Sequence, residues 1–246
     1  MNLHIYPSSL DTARALILHI IQLMTDDPNR IFNIAFSGGN TPAHMYDLWG
    51  NEYADITPWE KINIWWVDER CVPPEDSASN FRLMRILLFD VVGIPRNRIF
   101  RIKGENVPVK EAVRYSEQVK RTVPMVNNFP VFDMVLLGVG ADGHTSSIYP
   151  GQEQLLASSD LYSATINPYN GQQRIAMTGQ SIVKSKRIIF LVTGSDKAEA
   201  VYQVYKSGDT SPAGYIAKRA RNTDMFLDNG AASLLSAKGV EEVYVG

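Results

Sequence analysis

The sequence has little cysteine, no excess of either charge and no long apolar run, and each shortage excludes something. One cysteine, Cys71, among 246 residues rules out an intrachain disulfide and a cysteine-built zinc centre. Its expected role is that of a small buried hydrophobe rather than a nucleophile. Lys and Arg number 24 against 26 Asp and Glu, for a net charge of -2, so no nucleic-acid partner is expected. The one basic cluster, Lys184 to Arg187, reads as a solvated face between a helix and a strand. His19, Gln22 and Asp26 interrupt or border the best apolar stretch, leaving nothing of membrane-spanning length. The start, Met1-Asn2-Leu3-His4-Ile5-Tyr6, has neither the basic opening nor the apolar core of a signal peptide. Repeats and low-complexity segments are absent. The expected setting is therefore soluble, reducing and cytoplasmic, with no membrane partner.

What is present is an ordinary globular composition, 45% hydrophobic and 20% charged, with ample length for a sizeable core. One α/β domain covering 1–246 is expected. It is organised around Phe132-Asp133-Met134-Val135-Leu136-Leu137-Gly138-Val139-Gly140-Ala141-Asp142-Gly143-His144-Thr145-Ser146-Ser147. A short, uninterrupted apolar run marks a strand buried on both faces. The glycines let the backbone turn sharply and approach a ligand. Asp142 and His144 would then sit at the carboxyl end of the strand, where open α/β sheets bind ligands. Gly138, Gly140 and Gly143 also fit G-x-G-x-x-G, but a dinucleotide site needs a helix next. Here Asp142 would repel a pyrophosphate, and Pro150-Gly151 interrupts within a few residues.

Along the rest of the chain, Leu3–Tyr6 is a first strand. Ser8 and Asp11 then open a helix in near capping-box spacing, with Ala13, Leu16, Ile17, Ile20 and Ile21 on its buried face. The strand Ile31–Phe36 runs into Ser37-Gly38-Gly39-Asn40-Thr41-Pro42. Thr41 is expected as helix cap and Pro42 as first helical residue, with free N–H groups facing an anion. The plain alternative is a strand-to-helix turn with a proline start. Ile62–Val67 ends in Asp68-Glu69-Arg70, three charges too concentrated for a packing role, and the Arg70 guanidinium suits phosphate or carboxylate. Ser79-Asn80 starts a helix, Asn97–Ile102 is expected as a strand, and Pro108–Arg121 as a helix with Tyr115 and Val119 inward. Leu161–Ile166 and Arg174–Thr178 are strands joined by a loop, and Arg174 is either a pocket residue or a plain strand-end arginine. Arg187–Val192 leads to Thr193-Gly194-Ser195-Asp196-Lys197, where Ser195 would cap a helix Lys197–Tyr205. A lysine in a first turn opposes the helix dipole, which suggests that it meets an anion.

Strands ending at Phe36, Val67, Leu137 and Val192, if parallel, bring all these clusters to one sheet edge. That pocket would hold a glycine anion cradle, Arg70, Lys197 and a histidine beside an aspartate. Cations and N–H donors match a phosphate dianion, and the histidine matches proton transfer near neutral pH.

The blocks Phe36–Pro42, Asp68–Pro73 with Ser79-Asn80, Leu137–Ser147 with Pro150-Gly151, Arg174–Thr178 and Gly194–Ala198 together resemble the 6-phosphogluconolactonases. Departures are Asn40 where serine is common, Ser146 where alanine is common and Tyr149 where phenylalanine is common. The resemblance implies a mostly parallel open sheet with helices on both faces, as in sugar-phosphate isomerases and deaminases. It implies hydrolysis of 6-phospho-D-glucono-1,5-lactone to 6-phospho-D-gluconate, with no metal or organic cofactor, in a monomer or small homo-oligomer. The reading assigns His144 as base with Asp142 beside it. It assigns Ser37, Gly38, Gly39, Asn40, Thr41, Asp68, Arg70, Gly140, Arg174 and Lys197 to substrate binding. A serine nucleophile at 146 or 147 lacks the G-x-S-x-G elbow. The rivals are a glucosamine-6-phosphate deaminase, whose pattern has Asp-Glu-Tyr and then Asn-Glu-Pro-Gly after the histidine, and a sugar-phosphate sensor with no need of His144.

Overall fold

The computed structural model describes residues 1–206, 208–237 and 244–245. Its strands are β1 (Asn2–Tyr6), β2 (Phe32–Phe36), β3 (Ile62–Trp66), β4 (Asp68–Arg70), β5 (Met125–Val126), β6 (Phe129–Pro130), β7 (Met134–Leu137), β8 (Tyr162–Ile166), β9 (Gln173–Met177), β10 (Ile188–Val192), β11 (Thr223–Asp228) and β12 (Tyr244–Val245). The helices are α1 (Ser9–Asp26), α2 (Asn40–Glu52), α3 (Asn80–Met84), α4 (Pro108–Thr122), α5 (Gln154–Ala157), α6 (Gly179–Val183), α7 (Ala198–Tyr205), α8 (Pro212–Arg219) and α9 (Ser233–Ala237).

Among the described residues, seven strands form one sheet in the order β12-β1-β11-β10-β7-β2-β3, and each adjacent pair is parallel. Every residue of β2, β3, β7, β10 and β11 is buried, so helices cover both faces and the strands carry uninterrupted apolar runs. The strands expected to share an edge, β10, β7, β2 and β3, are consecutive in the sheet. Their register is level, with Phe36 opposite Trp66 and Phe190 opposite Leu137. A second, antiparallel sheet, β4-β9-β8, grows from the end of β3. There Met177 donates its N–H to the Val67 carbonyl at 2.7 Å. Its register sets Arg70 opposite Arg174.

Helix α1 starts as its sequence dictates. The Ser8 hydroxyl accepts the Asp11 N–H at 3.2 Å and donates to the Asp11 carboxylate at 2.5 Å, a cap worth about 1 kcal/mol. Its buried face is the expected one, extended by Thr12 and Met24.

Three local expectations are corrected. Helix α2 begins at Asn40, with Gly39 as its cap at φ +110° and no side-chain cap bond. The swing from β2 into α2 needs a backbone angle that glycine alone adopts freely. Pro42, lacking an N–H, is tolerated two steps further in, as the third helical residue, because first-turn donors have no helical partner. Residues 97–102 form no strand. Arg96–Arg98 is a 3-10 turn, and only Ile99 bridges to Ile64 before the chain leaves the edge of β3. Lys197 closes a 3-10 turn, Ser195–Lys197, and α7 starts after it with no capping side chain. Lys197 therefore sits just ahead of the helix rather than within its first turn.

At the opposite edge of the sheet, His19 on α1 accepts a hydrogen bond through Nε2 from Arg187 Nη1 at 3.1 Å. Burial first, and then the Arg187 charge, hold the imidazole below its ordinary value. The unfolded chain takes up a proton below about pH 6.5 that the native state resists, so stability falls as pH drops below that value. His19→Gln keeps an acceptor without a titration. Urea midpoints at pH 5.5 and 7.5 should therefore differ less in the variant than in the wild type.

Candidate active site

A cleft of about 580 Å³ opens where β2, β3, β7 and β10 end. Ser37, Gly38, Gly39, Asn40, Thr41, Asp68, Arg70, Gly140, His144, Arg174 and Lys197 all line it. Asp142 stands behind His144. The loop after β7 closes on itself, Gly140 N–H donating to the His144 carbonyl at 2.8 Å and Gly143 N–H to the Gly140 carbonyl at 2.9 Å. Gly143 takes φ +80° to make this turn.

The turn folds Asp142 under the imidazole. Asp142 Oδ1 lies 2.6 Å from His144 Nδ1 and accepts the His144 backbone N–H at 3.1 Å. A carboxylate only accepts, so Nδ1 carries the proton and Nε2 is left with a free lone pair. Burial pushes the Asp142 carboxyl up, but hydrogen bonds from Tyr169 and from the His144 N–H and ring outweigh it. The net position is below the usual aspartate value. The Tyr149 ring lies 4.6 Å from the imidazole ring, centre to centre.

Gly140 is required by this packing. A Cβ there would fall 2.1 Å from His144 Nδ1 and 2.6 Å from Asp142 Oδ1. Gly140→Ala should leave the fold intact, because the pair is partly exposed and has room to move. Turnover should fall about tenfold or more, since a displaced base loses its near-attack geometry. Near-wild-type kcat would show that the pair tolerates the shift.

The cationic side of the cleft is uneven. Arg174 is mostly engaged inside the protein: Nη2 donates to Gln172 Oε1 at 3.1 Å and Nη1 lies 3.5 Å from Ser147 Oγ and 3.7 Å from Asp68 Oδ2, while its buried Nε has no partner among the described residues. Arg70 donates Nη1 to the Ala78 carbonyl at 2.9 Å, and its buried Nε has no partner among the described residues. Among the described residues, Lys197 has only a 3.9 Å contact with Asp196, whose side chain is 77% exposed.

Two residues of the expected binding set have inward duties. The Ser37 hydroxyl donates to the Leu136 carbonyl at 2.7 Å, and Asp68 accepts from Ser147 Oγ and from the Asn80 amide at 3.3 Å. Ser147 is buried against Asp68. Ser146, at φ +55°, has its hydroxyl turned to the Val67 carbonyl at 3.3 Å.

Glu69 corrects the expectation that the Asp-Glu-Arg run has no packing role. Its buried carboxylate accepts the backbone N–H groups of Arg70, Asn80 and Phe81 at 2.7–2.8 Å and the Ser79 hydroxyl at 3.2 Å. Burial raises this carboxyl, the backbone donors pull it back, and the balance is about 7. Glu69 thus ties the start of α3 to β4. Asn80, delivered by that tie, abuts Gly38 so closely that a Cβ on Gly38 would lie 1.8 Å from its Oδ1. Burial pushes the Cys71 thiol up to about 11, which leaves it inert near neutral pH. Among the described residues, no cluster of His, Cys, Asp and Glu could hold a metal ion, and no helix is long and apolar enough to cross a membrane.

A histidine–aspartate pair facing cations at the carboxyl edge of a parallel sheet is the arrangement of an α/β enzyme, one able to transfer a proton beside an anion. The chain belongs to the family described as glucosamine-6-phosphate isomerases/6-phosphogluconolactonase, whose model matches residues 7–225. It is 36% identical over 211 residues to the 6-phosphogluconolactonase of Haemophilus influenzae, covering 84% of this chain and 89% of that protein. The crystal structure of the devB protein superposes with a TM-score of 0.89 at 35% identity, over 95% of this chain and 99% of that one. A monomeric glucosamine-6-phosphate deaminase superposes with a TM-score of 0.81 at 21% identity, over 95% of this chain and all (100%) of that one. The fold is thus common to lactonase and deaminase branches.

Proposed function

We propose that this chain hydrolyses 6-phospho-D-glucono-1,5-lactone to 6-phospho-D-gluconate, the second oxidative step of the pentose phosphate pathway. One observation carries the choice within the family. The cleft presents a histidine base with a free Nε2, while the positions that hold Asn-Glu in the deaminase pattern are Ile148 and Tyr149, both buried. Deaminase chemistry needs an acidic partner there for amine release and ring opening. Lactone hydrolysis needs only a base, an oxyanion donor and a phosphate grip.

In the proposed mechanism, the first-turn N–H groups of α2, Lys197 and Arg70 hold the 6-phosphate. His144 Nε2 takes a proton from water as the water oxygen bonds to C1. The resulting oxyanion is met by a cation or backbone N–H of the cleft. Collapse breaks the bond from C1 to the ring oxygen, which recovers the proton from the imidazolium. Asp142 keeps Nδ1 protonated throughout, as the aspartate of a catalytic triad does. General-base help of about 10²–10⁴-fold, together with positioning, suits an already reactive lactone. The same reading treats residues 1–246 as one domain, working in the cytoplasm.

The test is phosphogluconate formation from freshly generated lactone, corrected for spontaneous hydrolysis, alongside ammonia release from glucosamine 6-phosphate. Lactone turnover without ammonia is expected. Ammonia release would move the chain to the deaminase branch, and binding without either turnover would make it a sensor.

A further inference from the structure

Tyr169 has no part in the mechanism above. It lies in the loop joining β8 to β9, and 69% of it is exposed. A phenol in such a place ordinarily meets only water. This loop is built more tightly than exposure suggests. The Asn167 side chain accepts the Tyr169 N–H at 2.9 Å. Gly171, at φ +72°, donates to the Asn167 carbonyl at 2.9 Å, and the Asn167 N–H donates to the Gln172 carbonyl at 2.9 Å. The pinned tip leans over the loop that follows β7. There the Tyr169 hydroxyl donates to Asp142 Oδ2, the oxygen that His144 does not use. The Tyr169 ring also meets Tyr149 edge-on, 6.0 Å between centres at 80°, and Tyr149 in turn packs on His144. The hairpin thus reaches the base by a hydrogen-bonded route and an aromatic one.

We infer that Tyr169 is a positioning residue for the general base, acting through Asp142; this rests on the reading of His144 as that base. A carboxylate held by donors on both oxygens has one orientation, with Oδ1 under Nδ1 and Nε2 aimed into the cleft. Without the phenol, Asp142 is free to rotate about its terminal torsion, which is broad. The phenol has a second effect. By drawing charge onto Oδ2 it makes Asp142 a weaker partner for an imidazolium. Removing the hydroxyl should therefore move the acid limb of the rate profile upward.

Tyr169→Phe keeps the ring on Tyr149 and removes only the hydroxyl. Exposure makes this change harmless to the fold. The groups in contact with His144 are Asp142 and Tyr149. The charges facing it across the cleft are Asp68 and Arg70 on β4, Arg174 on β9 and Lys197 before α7. Asp196, Asp228 and His44 also line the cleft. All are common to both proteins, so the difference between their profiles reports the hydroxyl.

For lactone hydrolysis, Tyr169→Phe should lower kcat about 2- to 10-fold, the rate equivalent of one hydrogen bond. KM should be unchanged, and the acid limb of kcat/KM should move to higher pH. In an Asp142→Asn background the same substitution should have no further effect. A purely structural role would move neither the profile nor that coupling. If His144→Ala abolishes turnover but Tyr169→Phe leaves kcat and profile unchanged, this inference alone is overturned. If His144→Ala retains full rate, the reading of the base falls and this inference with it.

Discussion

His144→Ala is expected to lower kcat for lactone hydrolysis by about 10²–10⁴-fold while leaving affinity for 6-phosphogluconate almost unchanged. The imidazole is the one group in the cleft with a lone pair aimed outward and its other nitrogen fixed by a carboxylate. Its removal takes the proton acceptor away without touching Lys197, Arg70 or the turn before α2. Asp142 keeps the Tyr169 bond, so the loop should hold its shape. His144→Gln should behave alike, because an amide does not accept a proton near neutral pH. In the wild type, activity should fall on the acid side, since only the neutral imidazole accepts a proton. The alanine variant should lose that acid limb together with its rate. The measurement is initial velocity across pH, corrected for spontaneous lactone opening. A variant that retains nearly full rate would place the base elsewhere. Asp68 would be the next candidate, although Ser147 and Asn80 already occupy its oxygens.

The parallel sheet and the shared strand edge were legible because buried parallel strands carry uninterrupted apolar runs, as Ile62–Trp66 and Met134–Leu137 do. Each run ends in glycine or charge where the chain leaves the core. The cleft residues other than Arg174, which lies near the start of β9, were legible for the same reason, since each follows the end of a main-sheet strand within a few positions. What sequence could not show was how polar groups pair across the fold. Glu69 reads as one of three charges at a cleft, but its partners on α3 lie 10–12 residues on. Arg174 reads as a cation for substrate, but the pairing of β4 with β9 commits it to Asp68. Tyr169 carries no signal at all, because its partner Asp142 is 27 residues away across a hairpin. The expected strand at 97–102 failed for a different reason. Its residues suit a strand, but at the sheet edge only one residue finds a partner on β3, and the turn at Arg96–Arg98 takes the rest.

Replacing both Arg70 and Lys197 with alanine is expected to weaken 6-phosphogluconate binding by about 10²–10⁴-fold, with each single change costing about 10- to 10²-fold. The estimate rests on what these cations lack. Among the described residues, Lys197 has no partner closer than an exposed aspartate 3.9 Å away. Arg70 spends one nitrogen on the Ala78 carbonyl and keeps a buried Nε without a partner among the described residues. A charge-assisted contact to phosphate contributes roughly 1.5–3 kcal/mol. Two cations on one dianion share its charge, so the double variant should fall somewhat short of the product of the single effects. Binding in the wild type should weaken with added salt, and less so in the double variant. Arg174→Ala offers the contrast. It strips a buried aspartate of its nearest cation, so thermal stability should fall more than affinity does. Calorimetric titration with 6-phosphogluconate, paired with thermal unfolding, separates these outcomes. Unchanged affinity in both single variants would reject Arg70 and Lys197 as the phosphate grip and leave the helix turn after Gly39 as its main holder. In either case kcat at saturation should stay near the wild-type value, because the proposed mechanism gives capture to these groups and the chemistry to His144.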